Sequence, residues 1–209
     1  MTILLDIDYP EQMDRLQKAF DASCPVALPT ETVYGLAAPF DDIHAVKKIF
    51  SLKDRSFDQI LPVAVSTWSQ ARNLWAENYP PLLEKMTEVF WPGPLTIVFS
   101  ARKNWSEYCV APDGSIALRC PDQKHIQSVI KKTGKALALT SANISGKKSP
   151  RNIQEVLDQL GPRGLEAIVN GGESEYGYES TILSVSADSF TILREGALSE
   201  NFIREKLGC

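Results

Sequence analysis

The chain has 209 residues, of which 44% are hydrophobic and 23% are charged, and its formal net charge is −4. This composition is typical of a globular protein that can bury a full core without disulfides or a structural metal. The negative net charge excludes a general attraction to nucleic acid, so any anion site must be a local cluster of positive side chains.

Cysteine and histidine usage argues against a zinc-centred function. Four widely spaced cysteines form no Cys-x-x-Cys pair, and the two histidines do not have the spacing of metal ligands. We therefore expect reduced thiols and no metal site. The first residues lack the pattern of a signal peptide, and no apolar run approaches the roughly 18 residues of a membrane span. A cytoplasmic protein is the resulting expectation.

Helical and strand patterns alternate along the chain. In chain order, helices are indicated at 11–22, 43–52, 82–90, 122–130, 150–160 and 202–207, and strands at 26–28, 61–65, 95–99, 116–118, 136–139, 167–169, 182–185 and 190–193. Asp42 and Asp122 are expected to cap two helices, the first with Ile43 facing inward, and Val89 is one of the apolar residues that mark the helix at 82–90. Pro62 should lie in an edge strand or among the first residues of its strand. The alternation predicts an α/β domain whose last strands are antiparallel.

A polar turn follows the first predicted strand, at residues 30–32. If the backbone stays extended there, Thr30 and Thr32 share one face and Glu31 points to the other. Gly35 then allows a turn or a close approach of the backbone. Binding sites of α/β proteins lie beyond strand ends, so this segment is either a site or an ordinary polar turn.

Other predicted strands end in polar side chains in the same way. The strand-end set is Thr30, Thr32, Arg119, Thr140, Ser141, Asn143 and Arg194. Lys53 and Arg55, at the end of the second predicted helix and just beyond it, are added to this set. Guanidinium forks, an ammonium group and hydroxyls suit a phosphorylated ligand. Each cation taken alone fits a solvated surface group better than a binding residue, and only convergence of the strand ends would make a site.

Common nucleotide-binding and nucleophile motifs are absent. The segment 146–149 ends like a P-loop, but Ser141 stands where the first glycine belongs. The glycines at 171, 172 and 177 do not form a Gly-x-Gly-x-x-Gly motif, and no Gly-x-Ser-x-Gly elbow occurs. A Walker A loop, a Rossmann fingerprint and a serine-hydrolase elbow are therefore rejected.

Seven segments taken together resemble the YrdC/Sua5 family of threonylcarbamoyl-AMP synthases. In the family's order they are 29–36 (Pro-Thr-Glu-Thr-Val-Tyr-Gly-Leu), 53–55 (Lys-Asp-Arg), 91–96 (Trp-Pro-Gly-Pro-Leu-Thr), 117–122 (Ala-Leu-Arg-Cys-Pro-Asp), 140–146 (Thr-Ser-Ala-Asn-Ile-Ser-Gly), 179–182 (Glu-Ser-Thr-Ile) and 193–196 (Leu-Arg-Glu-Gly). The chain resembles the short form of the family, which predicts a single YrdC-like domain over 1–209.

The resemblance implies a fold and a reaction. The expected fold is α/β, with a twisted mixed sheet flanked by helices and a deep basic cavity. The expected enzyme is a nucleotidyltransferase that converts L-threonine, bicarbonate and ATP into threonylcarbamoyl-AMP and pyrophosphate. Its product would serve the t6A modification of tRNA at adenosine 37. The enzyme itself would act on tRNA only indirectly, through the machinery that transfers the product. ATP is expected as a substrate with Mg²⁺, and no membrane partner is expected.

The resemblance also implies roles for particular residues. The nucleotide set, expected to contact ATP, is Lys53, Arg55, Ser115, Ser141, Asn143, Ser149 and Arg194. The threonine set, expected to hold threonine, is Thr30, Thr32, Arg119, Leu139 and Ser180. The expected catalytic residues are Lys53, Arg55, Ser141 and Asn143, with no protein metal ligand and no general base assigned.

The segment 53–64 departs most from the family's pattern. Many relatives continue with proline and then an Asn-Pro pair, whereas this chain reads Ser-Phe-Asp-Gln-Ile over 56–60, and Ala64 replaces a histidine found near threonine in many Sua5 proteins. An alternative is therefore a paralogue that binds nucleotide or structured, double-stranded RNA without catalysis. Lysines 47, 48, 147 and 148 would favour that alternative.

Overall fold

The computed structural model describes residues 2–102 and 105–208, which form seven α-helices and ten strands. The helices are α1 Pro10–Asp21, α2 Ile43–Lys53, α3 Trp68–Leu74, α4 Pro81–Phe90, α5 Lys124–Thr133, α6 Ile153–Leu160 and α7 Glu200–Leu207, with a short 3-10 helix at Gly161–Arg163. The strands are β1 Ile3–Leu5, β2 Val26–Leu28, β3 Gly35–Pro39, β4 Val63–Ala64, β5 Leu95–Ser100, β6 Ser115–Arg119, β7 Leu137–Ser141, β8 Ala167–Val169, β9 Thr181–Val185 and β10 Phe190–Arg194.

All ten strands belong to one mixed sheet, in the order β1-β8-β2-β3-β7-β4-β6-β5-β9-β10. The pairs β1–β8, β2–β8, β4–β6 and β5–β9 are parallel, and the other five are antiparallel. The predicted α/β class with a mixed sheet is confirmed, as is the antiparallel pairing of the last two strands. A single sheet includes strands from both ends of the chain, and one domain over 1–209 stays a prediction.

Helices cover both faces of the sheet and bury two apolar clusters. The smaller cluster packs α1 and α5 on one face, through residues such as Leu16, Phe20 and Val129. The larger cluster packs the other helices on the opposite face, with Trp75 and Phe50 among its largest buried side chains. Among the described residues, no helix has the length and apolarity that crossing a membrane requires.

Helix starts follow the expected chemistry, with one shift. Asp42 caps α2 as predicted, because its Oδ1 accepts hydrogen bonds from the backbone N–H of His44 and Ala45 at 3.0 and 3.1 Å. The predicted cap of α5 at Asp122 is wrong. Gln123 takes this role, since its side-chain oxygen reaches the first free N–H groups of the helix.

The predicted inward orientation of Ile43 is wrong, and of the two options for Pro62 the edge strand is excluded. Ile43 and Val89 are 47% and 44% exposed, because each lies on the solvent side of an amphipathic helix. β4 lies in the middle of the sheet, between β7 and β6, although an edge position was one of two options for it. Pro62 immediately precedes this two-residue strand, so its missing N–H removes no bond from the ladder.

The three cysteines in the described part, Cys24, Cys109 and Cys120, are free and buried, and Cys209 lies outside the described residues. Burial raises the pKa of the Cys109 thiol to about 12. A thiol with such a pKa stays protonated near neutral pH and packs as a small apolar group.

Candidate functional site

A cavity of about 620 Å³ lies against the sheet and brings together most of the predicted site residues. Ten of the twelve members of the nucleotide and threonine sets line it: Thr30, Thr32, Lys53, Arg55, Arg119, Leu139, Ser141, Asn143, Ser180 and Arg194. Ser115 and Ser149 do not line it. Segments separated by more than a hundred residues in sequence therefore meet at one place.

The polar residues at the strand ends come together on one face of the sheet and not along one edge of it. β6 and β7 run in opposite directions, so Arg119 and Ser141 lie at different ends of the sheet although each ends its strand. One row of paired residues crosses five neighbouring strands and lies along the cavity. In sheet order this row is Arg194, Ile182, Thr96, Arg119 and Ala64. The sheet face itself is therefore the floor of the site.

The polar turn at 30–32 is part of the loop that joins β2 to β3. The Thr30 and Thr32 hydroxyls lie 2.8 Å apart, and the Thr30 hydroxyl also donates to the Val33 carbonyl at 2.6 Å. These short-range bonds bend the chain, so the extended backbone considered for this segment is wrong. Thr30 and Thr32 nevertheless both line the cavity, whereas Glu31 is buried away from its surface.

Glu31 and Arg119 form a buried ion pair beneath this turn. The distance from Arg119 Nη2 to Glu31 Oε1 is 2.7 Å, and the two side chains are 8% and 4% exposed. Arg119 also donates from Nη1 to the Thr32 hydroxyl at 2.9 Å and from Nε to the Gly93 carbonyl at 3.2 Å. Among the described residues the Glu31 oxygens have no hydrogen-bond partner, so charge attraction to Arg119 holds the carboxylate.

The same end of the cavity contains a second pair of hydroxyls and an apolar wall. Thr96 and Ser180 approach to 2.8 Å between their hydroxyl oxygens. Leu139 forms the wall, and its side chain packs so tightly on Gly35 that a Cβ at that position would overlap Leu139 Cδ1. The close backbone approach considered for Gly35 is therefore observed.

Lys53 ends α2 and turns its amine toward the segment after β7. Its Nζ donates to the carbonyls of Ser141 and Asn143, the latter at 2.6 Å, and to Asn143 Oδ1 at 3.3 Å. Burial, followed by the charge of Arg55, lowers the pKa of Lys53 to about 7. Lys53 is 1% exposed, so in this state it shapes the 141–143 turn rather than offering a free ammonium group.

Arg55 reaches the cavity because the chain reverses after Lys53. Asp54 adopts a left-handed conformation with φ of 50°, and Arg163 donates to its carboxylate and to the last carbonyls of α2. The guanidinium of Arg55 then donates to the carbonyls of Gln59 and Ile60 at 2.9 and 3.1 Å. Arg55 thus holds the segment that departs most from the resemblance, while it lines the cavity.

Asn143 fixes the turn that Lys53 contacts. Its side-chain amide donates to the carbonyls of Ile144 and Lys147 at 3.0 and 2.7 Å. The backbone N–H of Ala142 donates to the Tyr34 carbonyl at 2.8 Å, which ties the turn to the start of β3. The amide of Asn143 is therefore committed to the conformation of residues 143–147.

At the opposite rim, Glu179 joins two members of the nucleotide set. Ser149 donates its hydroxyl proton to Glu179 Oε1 at 2.6 Å, and Arg194 Nη1 lies 3.3 Å from Glu179 Oε2. Arg194 Nη2 also donates to the Ser180 carbonyl at 2.8 Å. Ser149 therefore adjoins the cavity through Glu179, although it does not line it.

Comparison with known proteins gives the family directly. A family model for Sua5/YciO/YrdC proteins, described as "Telomere recombination", matches residues 18–196. That match covers most of the chain. The chain belongs to the Sua5/YciO/YrdC family. The family predicted from the seven segments is confirmed.

Individual relatives within the Sua5/YciO/YrdC family agree with this assignment. The chain is 36% identical over 184 residues to a threonylcarbamoyl-AMP synthase of Bacillus subtilis, covering 88% of this chain and 53% of the relative. It is 31% identical to a putative threonylcarbamoyl-AMP synthase of Mycobacterium tuberculosis, covering 100% of this chain and 96% of the relative. The chain thus spans about half the length of the Bacillus relative.

A solved structure within the family shares the fold over the entire chain. The Pyrococcus abyssi Sua5 protein complexed with L-threonine superposes with a TM-score of 0.91 at 31% identity, covering 100% of this chain and 61% of that one. The agreement extends over all elements that line the cavity. The mixed sheet flanked by helices is therefore the family fold.

Sequence reasoning missed several residues that shape this family member's cavity. Glu31 was treated as pointing away, and its role as the counter-ion of Arg119 depends on a contact across 88 positions. Thr96 and Glu179 lie within two of the seven family segments and could have been included on that ground. Ser115, by contrast, lies on the same face of β6 as Arg119 but four residues farther along, outside the cavity lining.

The charge of the cavity is partly balanced within the protein. Five basic side chains and one carboxylate line it, namely Lys53, Arg55, Arg119, Lys147, Arg194 and Glu179. Two of the arginines already face a glutamate, so a strongly basic cavity stays a prediction. Within residues 2–102 and 105–208 no group of three or more His, Cys, Asp or Glu could hold a metal ion.

Proposed function

We propose that this chain is a threonylcarbamoyl-AMP synthase, which converts L-threonine, bicarbonate and ATP into threonylcarbamoyl-AMP and pyrophosphate. The observation that carries the proposal is the cavity, in which ten residues assigned to the two substrates from widely separated segments lie together. The relatives named threonylcarbamoyl-AMP synthase support it, as does the threonine complex of Pyrococcus abyssi Sua5.

In this proposal the threonine set forms the more buried end of the cavity. Arg119 is held rigidly by Glu31, Thr32 and the Gly93 carbonyl, and would direct its guanidinium toward the carboxylate of threonine. The hydroxyls of Thr30, Thr32 and Ser180 would bind the polar groups of the amino acid. Leu139 would contact its methyl group and contribute shape rather than charge.

The nucleotide set would bind ATP at the other end. Arg55 and Arg194 are the two guanidinium groups there, and each offers a planar fork suited to phosphate oxygens. Ser141, Asn143 and Ser149 would add polar contacts along the same side, and Ser115 would reach the nucleotide only beyond the cavity lining. Lys53 contributes charge and fixes the 141–143 turn, so its role combines electrostatics with positioning.

The proposed reaction brings two anions together. Threonine's amine and bicarbonate condense, with loss of water, to an N-carboxy group. One of its carboxylate oxygens attacks the α-phosphorus of ATP, and the bond to the β-phosphate oxygen breaks to release pyrophosphate. At about 4 Å and an effective dielectric of about 20, one pair of unit charges amounts to roughly 4 kcal/mol, so several fixed cations are needed to offset the repulsion. Positioning and charge stabilisation suffice without an assigned general base.

Mg²⁺ enters this proposal with the nucleotide. The single carboxylate among the cavity-lining residues, Glu179, cannot form a protein cage for the ion. Mg²⁺ commonly binds through substrate phosphates and water with one or two carboxylates. We therefore propose Mg²⁺–ATP as the substrate form, with the protein supplying guanidinium and hydroxyl groups around it.

Pyrophosphate release tests the proposal. The expected result is release that requires L-threonine and bicarbonate together, with threonylcarbamoyl-AMP identified by mass spectrometry. Arg55→Ala should reduce the rate to background while the far-UV circular dichroism spectrum stays unchanged. Arg72→Ala, which removes an exposed arginine of α3 outside the cavity, is the matched control and should retain the rate. ATP turnover indifferent to threonine would contradict the proposal.

The alternative is a binding module that takes nucleotide or double-stranded RNA. The exposed positions of Lys47, Lys48, Lys147 and Lys148 favour it. RNA affinity that falls steeply with salt, in a protein without threonine-dependent pyrophosphate release, would support this reading. In the synthase proposal the protein acts on tRNA only indirectly, through the machinery that transfers the t6A group. The proposal includes a cytoplasmic location, which follows only from this role.

A further inference from the structure

Glu179 holds a position that nothing in the proposed reaction explains. Its carboxylate accepts the Ser149 hydroxyl proton at 2.6 Å on one oxygen and faces Arg194 Nη1 at 3.3 Å on the other. Its charge also raises the pKa of Lys53, against the larger lowering by burial and Arg55. A single carboxylate therefore acts on three members of the nucleotide set.

The backbone of Glu179 is fixed while its side chain can turn. Its carbonyl accepts the Ala197 N–H at 2.9 Å, and Gly196 packs so closely on this carbonyl that no side chain would fit there. The carboxylate itself is different, because the side chains of Glu179 and Arg194 are 39% and 43% exposed. An ion pair with that exposure is weak and can open without disturbing the fold.

Ser149 and Arg194 cannot keep all their bonds to Glu179 while they bind a phosphate. A serine hydroxyl has one proton, and that of Ser149 is donated to Glu179. A phosphate placed on Arg194 would lie next to the Glu179 carboxylate, and like charges at such distances repel. An incoming phosphate must therefore displace the carboxylate or be bridged to it by a cation.

We propose that Glu179 is a resident counter-anion of the phosphate site, which is bound by Ser149 and Arg194 without nucleotide and displaced by phosphate oxygens when ATP binds. This inference rests on the proposed function, since it assigns the two partners to ATP. Glu179 keeps Arg194 oriented before binding, and it lowers the affinity for every phosphate ligand, including the pyrophosphate product. Weaker retention of pyrophosphate favours its release.

A cation bridge is the competing arrangement, and it makes the opposite prediction. If Mg²⁺ joined Glu179 to the phosphates, the carboxylate would be a ligand and its removal would weaken binding. Displacement predicts tighter binding when the charge is removed. The direction of the change therefore separates the two arrangements.

The test is calorimetric titration of Glu179→Gln with ATP and, separately, with inorganic pyrophosphate, each with and without Mg²⁺. Glutamine keeps the size of the side chain and removes the competing charge. From the modest strength of exposed ion pairs, we expect about three- to fivefold tighter binding of both ligands without Mg²⁺. The gain should shrink as salt rises from about 0.05 to 0.5 M, because the charges are near solvent.

The matched control is Glu173→Gln, which removes the same charge from the same loop. Glu173 pairs with Arg151 outside the cavity lining, so ATP affinity should stay within about twofold of the wild type. Equal tightening in both variants would assign the effect to net charge and overturn the inference.

The two proposals can fail separately. Wild-type protein that binds ATP, with a Glu179→Gln variant that binds it equally or more weakly, overturns the counter-anion alone. Loss of binding in the variant only in the presence of Mg²⁺ does the same and identifies the cation bridge. Absence of ATP and pyrophosphate binding in both proteins overturns the counter-anion together with the proposed function.

Discussion

Two arginine–glutamate pairs lie at the two ends of one cavity and differ in burial. Arg119 and Glu31 are 2.7 Å apart and less than a tenth exposed, whereas Arg194 and Glu179 are 3.3 Å apart and about two-fifths exposed. The first arginine makes two further hydrogen bonds, to Thr32 and to the Gly93 carbonyl. The same two residue types thus build a rigid end and an adjustable end.

The difference shows how burial decides the use of a charge pair. A buried pair is costly to separate because each ion would remain in a poorly solvated place, so Arg119 has one fixed orientation. An exposed pair has water as an alternative partner, so Arg194 can exchange its carboxylate for another anion. Rigidity suits the recognition of a small amino acid, and exchange suits a phosphate chain that must enter and leave.

The largest expected effect breaks the buried pair. Glu31→Gln leaves the Arg119 charge buried without its counter-ion, and we expect the free energy of unfolding to fall by about 3 kcal/mol or more in urea denaturation. Glu179→Gln, its matched control at the exposed pair, should change stability by at most about 1 kcal/mol. Equal effects of the two substitutions would remove the distinction between the two ends.

A second prediction uses the buried amine between the two ends. Burial and Arg55 lower the pKa of Lys53 from 10.5 to about 7, so between these values the unfolded chain binds a proton that the folded protein does not. The stability linked to this proton is fully present above the pKa of the unfolded chain, 10.5, and is lost as pH falls through the pKa of the folded protein, about 7. Relative to Lys53→Met, the wild type should gain about 2 kcal/mol of unfolding free energy between pH 7 and 9.

Lys48→Met is the control for this pH dependence. Lys48 is exposed on the same helix, so its substitution should leave the pH profile of unfolding parallel to that of the wild type. If the free energy of unfolding of the wild type, relative to Lys53→Met, fell between pH 7 and 9, the oxygen acceptors of the 141–143 turn would outweigh burial in setting the pKa of Lys53. The measurement is urea denaturation at a series of pH values.

A smaller effect sharpens the description of the rigid end. In Gly35→Ala the new methyl group overlaps Leu139, so we expect a loss of about 1–2 kcal/mol in the free energy of unfolding and weaker threonine binding. Gly161→Ala is the control, because that glycine has helical dihedral angles and only a contact at 3.9 Å to Leu157. Unchanged threonine affinity in Gly35→Ala would separate Leu139 from the binding site.

Local patterns predicted most elements, and their failures have local causes. β3, Gly35–Pro39, was overlooked because glycine, alanine and proline are poor strand formers, and pairing with β2 and β7 on either side stabilises it instead. α3, Trp68–Leu74, was missed because seven residues are too few for a clear helical period.

The site was predictable in its residues but not in its pairings. The seven family segments named the groups that line the cavity, including Arg119 and Arg194. No local rule identifies Glu31 as the partner of Arg119, since the pair joins a loop after β2 to the end of β6. Strand direction was equally hidden, and it places the floor of the site on a sheet face.

The amine of Lys53 connects the end of α2 to a turn almost ninety residues farther along, and the backbone N–H of Ser145 returns a bond to the Lys53 carbonyl at 2.8 Å. These reciprocal bonds mean that each segment helps to hold the conformation of the other. The part of the cavity lined by Lys53, Ser141 and Asn143 therefore depends on contacts between segments that are far apart in sequence. A change in either of the two distant segments should therefore disturb this part of the cavity through the other.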